Sequence, residues 1–372
     1  MTASGRALSV EVCTEEHAFA ELAGEWQRLY RACPSATPFQ SHPWLHSWWL
    51  SYGSPGRLRL VLVRRSGELV AAAPLMRVHH PLPALVPIGG AITDFCDVLL
   101  DPAAGPQGAG ALADALTDLA RTALIDFREV RPGGAMERVY LCWRGPRHRV
   151  RDSVCLELPA VPMGELVERL SSRHAQRVRN KVNRLARLGI EWRDVSPEEA
   201  GAALRRLLEL HRLQWQGRGM SPEHARPRFL EHLVRAVVPM ARSGEAAVTQ
   251  FVLDGEVVAV NLNVLSRRLA GTYLYGFHPR LREERKVDVT AMLLHASTEH
   301  VVSGGEPRVL SLLRGAEPYK YRWHPETVPN QRFLLARRRT VPLLAAAAGE
   351  AAARRRAKQV LRRTPGPPPD HH

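Results

Sequence analysis

The order of secondary structure read along this chain repeats itself, and that repeat constrains the fold more than any other feature of its 372 residues. In the first half, residues 7–13 (ALSVEVC) alternate as a strand does, and 15–31 place Phe19, Leu22, Trp26 and Leu29 at helical spacing. Ser41 is positioned to cap a short tryptophan-rich helix, with Pro43 in its first turn and Gly53 at its end. Strands over 57–65 and 68–78 are joined at Ser66-Gly67, a loop through Asp94–Asp97 runs into a strand at 98–100, and a helix over 107–122 leads to a strand over 124–130. The second half predicts helices over 163–170 and 173–188, a strand over 190–195, and helices over 197–218 and 227–243. Strands over 246–253 and 256–265 then pair across Asp254-Gly255, the strongest hairpin signal in the chain, followed by a strand over 271–277, a helix over 288–303 and a strand over 308–312. Both halves read strand, helices, hairpin, strand, helix, strand. The expectation is an α+β chain of two related units, residues 1–160 and 161–336, each a mixed, mostly antiparallel sheet flanked by helices, with the linker near 159–162. Residues 337–372 read as a basic helix ending in a disordered proline-rich tail (365–369).

Charge separates the halves. The net charge is +15, and the first 162 residues contribute none of it, with 16 basic and 16 acidic side chains. Arg173–Arg187 carries six cations and no acid, and 337–363 carries nine cations against Glu350 alone. Between 173 and 187, Ala175, Val178, Val182 and Leu185 form a packing stripe, while Arg177, Lys181 and Arg184 line an adjoining face with Arg173 at its start. Such a face suits a polyphosphate, RNA or an acidic carrier protein, with a plain solvated face as the alternative. The C-terminal arginines suit the same partner or an anionic membrane surface, although no aromatic anchors accompany them. Arginine supplies 48 of the 52 cations, so each lysine is informative. The five cysteines (Cys13, Cys33, Cys96, Cys142, Cys155) form no C-x-x-C pair, and with no signal-peptide pattern ahead of them they set the expectation of a reducing, cytoplasmic compartment. No apolar run reaches the length needed to span a bilayer.

The segments PFQSHPWLHSWW, VAAAPLM, DFCDVLL, RNKVNRLARLG, GTYLYGF and LLRGAEPYKYRW occur in an order that, together with the repeat, resembles the tandem-GNAT acyltransferases described as CelD-like or BioF2-like. The resemblance covers roughly residues 8–335, and the group is similar to the Fem aminoacyltransferases, which also pair two GNAT-like units. It implies acyl transfer to an amine of a small molecule or of a cell-envelope or natural-product precursor, with acyl-CoA as the co-substrate and aminoacyl-tRNA as the alternative donor. A third reading is a binding module without catalysis that holds RNA or a carrier. One departure stands out. GNAT proteins follow the strand equivalent to 271–277 with a Gly-rich loop that cradles the CoA pyrophosphate, whereas this chain has HPRLREERKVDV, with no glycine. Arg280, Arg282, Arg285 and Lys286 remain to engage phosphate through side chains. Gly89-Gly90 in the first unit reads as a phosphate approach or as a plain turn.

The segment Arg314–Trp323 follows a strand, where side chains emerge at the mouth of a sheet. Lys320 resembles the lysine of the Fem-type aromatic-Lys motif, whose implied role is to stabilise charge on the attacked carbonyl or the leaving group; a surface cation is the alternative. Tyr319 is a proton donor to the leaving group or a packing aromatic. Glu317 is a general base or the ion-pair partner of Arg314 or Arg322. Asp94 and Asp97 flank an aromatic-Cys pair, where a carboxylate can take a proton from an amine or cap a turn, and no His or Cys cluster at ligand spacing suggests a metal. His42 and Trp44 are candidates for the acceptor pocket, with Trp44 equally at home in a core. Tyr273 and Tyr275 are expected on one strand face and Asn261 and Asn263 on one face of its neighbour, making Asn261 and Tyr275 either pocket liners beside Arg314, Arg322 and Trp323 or ordinary hydrogen-bonded strand residues. The sixteen histidines show no H-x-x-x-H or Ser/His/Asp pattern.

Overall fold

The computed structural model describes residues 7–79, 81–217, 219–304 and 309–363, so residue 308 of the last expected strand and the proline-rich tail lie outside the described residues. In chain order the first half forms β1 (Leu8–Cys13), α1 (Glu16–Glu21), α2 (Ala23–Ala32), α3 (His42–Tyr52), β2 (Leu58–Arg65), β3 (Glu68–Val78), β4 (Ala84–Pro87), β5 (Leu99–Leu100), α4 (Gly105–Leu119), β6 (Leu124–Val130), α5 (Ala135–Cys142) and β7 (Arg147–Pro159). The second half forms α6 (Met163–Glu168), α7 (Ser172–Arg187), β8 (Glu191–Asp194), α8 (Ala200–Gln214), α9 (Pro227–Arg242), β9 (Ala246–Leu253), β10 (Glu256–Leu265), β11 (Leu269–Phe277), α10 (Arg280–Glu283), α11 (Val289–Gly304), β12 (Val309–Arg314), β13 (Glu326–Leu335) and α12 (Val341–Arg363). The helix expected over 15–31 is two helices that meet at Leu22. The hairpin at Asp254-Gly255 forms as expected, with φ of +53° and +78° at its two turn residues, the conformation that Asp-Gly tolerates.

All the described strands join one sheet in the order β1-β2-β3-β4-β6-β13-β7-β12-β11-β10-β9-β8, with β5 paired to β3. The sheet is mixed and mostly antiparallel. Its two parallel pairs, β4 with β6 and β11 with β12, occupy the same place in each half. The two strands at the centre cross between halves. β7, from the first half, lies between β13 and β12, and β13, from the second half, lies between β7 and β6. Their antiparallel register runs from Glu326↔Glu157 to Leu335↔Arg147.

Helices cover both faces. In the second half α8 and α9 pack on Val248, Val260, Leu262 and Val264, while α7 and α11 cover the opposite face through Val178, Leu185, Met292, Leu293 and Leu294. Ala175, Val178 and Leu185 of α7 are buried as the periodicity predicts. The basic C-terminal helix is not a free arm: Leu343, Leu344, Ala347 and Ala348 of α12 pack on Ala84 and Leu124 of the first half and Leu334 of β13.

The seam carries polar groups that a sheet centre tolerates only when paired. Arg332 of β13, 4% exposed, donates two bonds of 2.7 Å to the Asp126 carboxylate of β6. Arg131, just past β6, pairs with Glu157 of β7 and lies 5.1 Å from the centroid of the Phe95 ring. Removing one partner strands a buried charge, so Asp126→Ala is expected to cost about 3–5 kcal/mol in urea unfolding, whereas Asp126→Leu combined with Arg332→Met recovers most of that loss. A single-variant loss below about 1 kcal/mol contradicts this account of the seam.

Candidate functional site

A bulge bends the strand that carries it, and both strands of the second half's parallel pair carry one in the ladder with their outer neighbour. β11 pairs with β12 only from Leu269↔Val309 to Gly271↔Ser311. Beyond that point β11 skips a residue at Tyr273, and β12 breaks register between Ser311 and Arg314, with Leu313 at φ +56°. The gap opens into a cleft of about 500 Å³. Thr290, Leu293 and Leu294 of α11 line it from one face, His211 of α8 with Trp215 and His224 from the other, and Ala91, Ile92 and Asp94 of the first half close one end.

The bulge corrects the expected pairing of tyrosines. Tyr273 and Tyr275 do not share a face. Tyr273 turns toward the first half, where its hydroxyl donates to Ile92 O (2.8 Å) and its ring meets Trp44 at 5.1 Å. Tyr275 turns toward Tyr319, and both line the cleft. Burial, with Tyr275 beside it, holds the Tyr319 phenol well above its ordinary pKa, so it keeps its proton.

Of the expected catalytic residues, Lys320, Tyr319, Asp94 and Glu317 all line this cleft, as do Tyr275, Arg314 and Trp323. Their partners narrow what each can do. Arg314 donates through Nε (2.9 Å) and its backbone N–H (3.3 Å) to Asp94 Oδ1, and through Nη1 to Glu129 Oε1 (3.2 Å). Burial works to lower the Arg314 pKa, but Asp94 and Glu129 outweigh it and hold the guanidinium firmly charged. Glu129 in turn accepts from Ser153 and from Asn330 Nδ2 (2.9 Å), which ties the cleft floor to β7 and β13. Lys320, 8% exposed, donates to Arg314 O (3.0 Å) and Gly315 O (3.5 Å) and pairs with Glu317 (2.8 Å), so its three N–H bonds are engaged. Gly315 has φ +111°, and a Cβ there would sit 2.4 Å from Glu317 Oε1, so the folded-back glutamate depends on this glycine.

Other expected site residues lie elsewhere. His42 is buried, with Nε2 on Phe19 O at 2.8 Å, and Trp44 is fully buried, donating to Thr93 Oγ1 at 2.9 Å and packing 4.7 Å from the His232 ring at the seam between halves. The buried Asp97 accepts from the N–H groups of Val98, Ala135 and Met136, and so caps the start of α5. Asn261 lies under α11 in a buried cluster with Asn263 and Ser297. Arg322 is exposed, as are Arg173, Arg177 and Arg184 on the open face of α7. Lys181 pairs with Asp288 (2.6 Å), whose other oxygen accepts from the Ala291 N–H and so caps α11. Arg285 pairs with Asp254 (3.3 Å), Arg282 lies 5.0 Å over the Phe277 ring, and Lys286 is exposed at φ +52°.

Sequence spacing missed a histidine pair in the cleft. His211 Nδ1 lies 2.8 Å from Tyr275 O and its Nε2 lies 3.1 Å from His224 Nδ1. The two are thirteen residues apart in different elements, so no linear motif marks them.

In the first half the equivalent gap is closed. β4 pairs with β6 through Leu85↔Ile125, and beyond that the returning chain takes its place, with the Cys96 N–H on Glu129 O at 3.0 Å and the Phe95 ring buried.

Residues 172–321 match a family profile described as "Acetyltransferase (GNAT) domain". The chain carries a GNAT fold. A crystal structure of FemX superposes with a TM-score of 0.62 at 12% identity, covering 87% of this chain and 98% of that one. The C-terminal domain of a putative lysylphosphatidylglycerol synthetase from Agrobacterium fabrum gives 0.55 at 11% identity (88% and 96% covered), and L-PGS from Bacillus licheniformis gives 0.54 at 12% (86% and 94%). At such identities the likeness is one of fold, and this GNAT fold extends over both halves of the chain. No curated protein matches it by sequence. Among the described residues no helix is long and apolar enough to cross a membrane, and no cluster of three or more His, Cys, Asp or Glu side chains could hold a metal ion.

Several imidazoles are held neutral by burial: His42 and His224 down to about 4, and His232 down to about 3. The unfolded chain binds protons that these folded-state groups refuse, so stability is lost as pH falls from about 6.5 toward 4. Asp97, lifted by burial to about 6, works in the opposite sense, as do Glu245 and His300 with raised values, but His46 and His211 are lowered as well and the histidines prevail. Urea midpoints are expected to fall between pH 7 and pH 5, each net proton contributing about 1.4 kcal/mol per pH unit. A flat or rising midpoint contradicts this assignment.

Proposed function

We propose that the protein is an N-acyltransferase, within or near the CelD-like/BioF2-like group, that moves an acyl group from an activated donor to an amine in the cleft between β11 and β12. The observation that carries this reading is the meeting of Tyr319 and Lys320 with the gap between two diverging strands. The acyl donor enters along Thr290, Leu293 and Leu294 and the amine from the side of His211 and Trp215. The amine nitrogen attacks the acyl carbonyl, and the bond to the leaving sulfur or oxygen breaks. Tyr319, which keeps its proton, gives it to the departing atom, and the Lys320 ammonium beside it stabilises the negative charge that develops. Arg314 holds the floor of the site in place through Asp94 and Glu129.

Acyl-CoA is the donor that the GNAT fold favours, and five free cysteines suit a cytoplasmic setting. A second reading, transfer from aminoacyl-tRNA, has its own support. In the glycine-free segment ahead of α11, Asp288 spends its carboxylate on the helix N-terminus, where an incoming pyrophosphate would meet negative charge. The exposed Arg173, Arg177 and Arg184 offer a polyanion an alternative footing.

Incubation with a cellular amine pool and either labelled acetyl-CoA or charged tRNA, with and without RNase, separates the donors. Transfer from acetyl-CoA that survives RNase rules out the tRNA reading, and RNase-sensitive transfer from charged tRNA alone rules out CoA. Lys320→Met keeps the chain length and removes the charge. It is expected to lower turnover by more than roughly tenfold with little change in donor KM, and unchanged turnover removes Lys320 from the mechanism.

A further inference from the structure

An ammonium must lose a proton before its nitrogen can attack, and the carboxylates at this cleft are poorly placed to take it. Three line the cleft, and each is spent on a cation: Asp94 on Arg314, Glu317 on Lys320, and Glu223 on Arg228 through two bonds of 2.8 Å. Both Glu223 oxygens are thereby engaged, and Arg228 holds the carboxyl below the usual carboxylate range.

The histidine pair differs, because its protonation is set by the backbone. A carbonyl oxygen only accepts, so the Nδ1 of His211, 2.8 Å from Tyr275 O, must carry the hydrogen. In the neutral ring Nε2 is then a lone pair, and at 3.1 Å it accepts from His224 Nδ1. His224 is thereby fixed as the Nδ1–H tautomer, and no described residue hydrogen-bonds to its remaining Nε2. The ring is steadied by stacking on Phe229, with centroids 4.7 Å apart and planes 19° apart. Burial lowers the pKa of both imidazoles, so both are neutral at pH 7. The relay depends on α8 lying directly against β11. At Gly276 a Cβ would sit 2.3 Å from Leu207 O and 2.4 Å from His211 N, so any larger residue would push His211 off the Tyr275 carbonyl.

We infer that His224, through the lone pair on Nε2, is the catalytic base that accepts the proton of the incoming amine, and that His211 is a positioning residue that fixes its tautomer. This inference rests on the acyltransferase reading above. The ammonium gives one proton to His224 Nε2, and the freed electron pair forms the new C–N bond as the bond from carbon to the leaving sulfur or oxygen breaks. The leaving atom takes the Tyr319 proton, and the second proton of the attacking nitrogen restores the phenol. His224 then releases its proton to solvent through the open side of the cleft, so the net products are the amide, the protonated leaving group and one proton.

Two measurements test this. In protein labelled with ¹⁵N-histidine at pH 7, His211 and His224 are expected as Nδ1–H tautomers, with His224 losing that pattern in His211→Gln; an Nε2–H or cationic His224 in the wild type overturns the inference. With whichever of labelled acetyl-CoA or charged tRNA the wild type uses, His224→Gly is expected to lower kcat by roughly 100-fold with donor KM unchanged, and added imidazole to restore roughly tenfold. A loss below threefold, or a loss that imidazole does not repair, overturns the role of His224 while leaving acyl transfer intact. Absence of transfer by the wild type from both donors overturns the acyltransferase reading itself.

Discussion

The antiparallel pairing of β7 with β13 is the contact on which the rest of the structure depends. Each of these long strands belongs by sequence to one half and by hydrogen bonding to the other, since β7 pairs with β13 and β12 and β13 with β7 and β6. The exchange makes one sheet out of two repeats, and it fixes β6 and β12 on either side of a shared centre. It also brings groups far apart in the chain to one floor: Glu129 from β6, Ser153 from β7, Arg314 from β12 and Asn330 from β13 meet in a single network. Within it Glu129 is the shared acceptor, held by donors from β7, β12 and β13.

Repetition of the fold does not mean repetition of the site. Each half has a parallel pair that diverges at a bulge with a non-glycine residue at positive φ, Glu129 in one and Leu313 in the other. In the first half the chain around Phe95 and Cys96 folds back into the gap. In the second half the gap stays open, and the residues that follow β12 supply Glu317, Tyr319 and Lys320 to its wall. Charge follows the same asymmetry. The neutral first half acts as a partner wall through Ile92 and Asp94, and the open basic face of α7 belongs to the half with the cleft. The basic C-terminal helix, by contrast, is anchored away from the cleft, on Ala84 and Leu124 of the first half and on β13, with Glu350 reaching Arg332 at 3.6 Å.

What was legible in the sequence was whatever showed as local alternation or helical periodicity. The β9–β10 hairpin and the buried stripe of α7 stand in the structure as the pattern implies, and the order of elements repeats, although β4 and not the strand expected at 98–100 is the first half's parallel partner of β6. β7 and β13 escaped because their inward positions hold Glu157, Asn330 and Arg332, whose partners lie in strands the local pattern does not connect. The clustering at the cleft of Asp94 with the segment after β12 was visible; the Asp94–Arg314 pair was not, since it depends on a contact between halves, and Glu317, expected on Arg314 or Arg322, pairs with Lys320 instead. The tryptophan-rich α3 shows the limit of composition. His42 and Trp44 point into the core and the seam, where Trp44 meets His232 of α9. Tyr273 was misplaced by one bulge residue, the smallest change that sends a side chain to the other face of a sheet. The His211–His224 pair carries no signal in linear spacing, because its geometry is set by a backbone carbonyl of β11.

The central claim, that acyl transfer takes place in the second half's open gap and not in the closed one of the first, is tested most directly by a crystal structure of the protein with a non-hydrolysable acetyl-CoA analogue or an aminoacyl-RNA mimic. The account predicts the acyl group between Tyr275 and Arg314, within hydrogen-bonding reach of the Tyr319 hydroxyl, with the Phe95–Cys96 segment in place. An acyl group bound between β4 and β6, with that segment displaced, would contradict it.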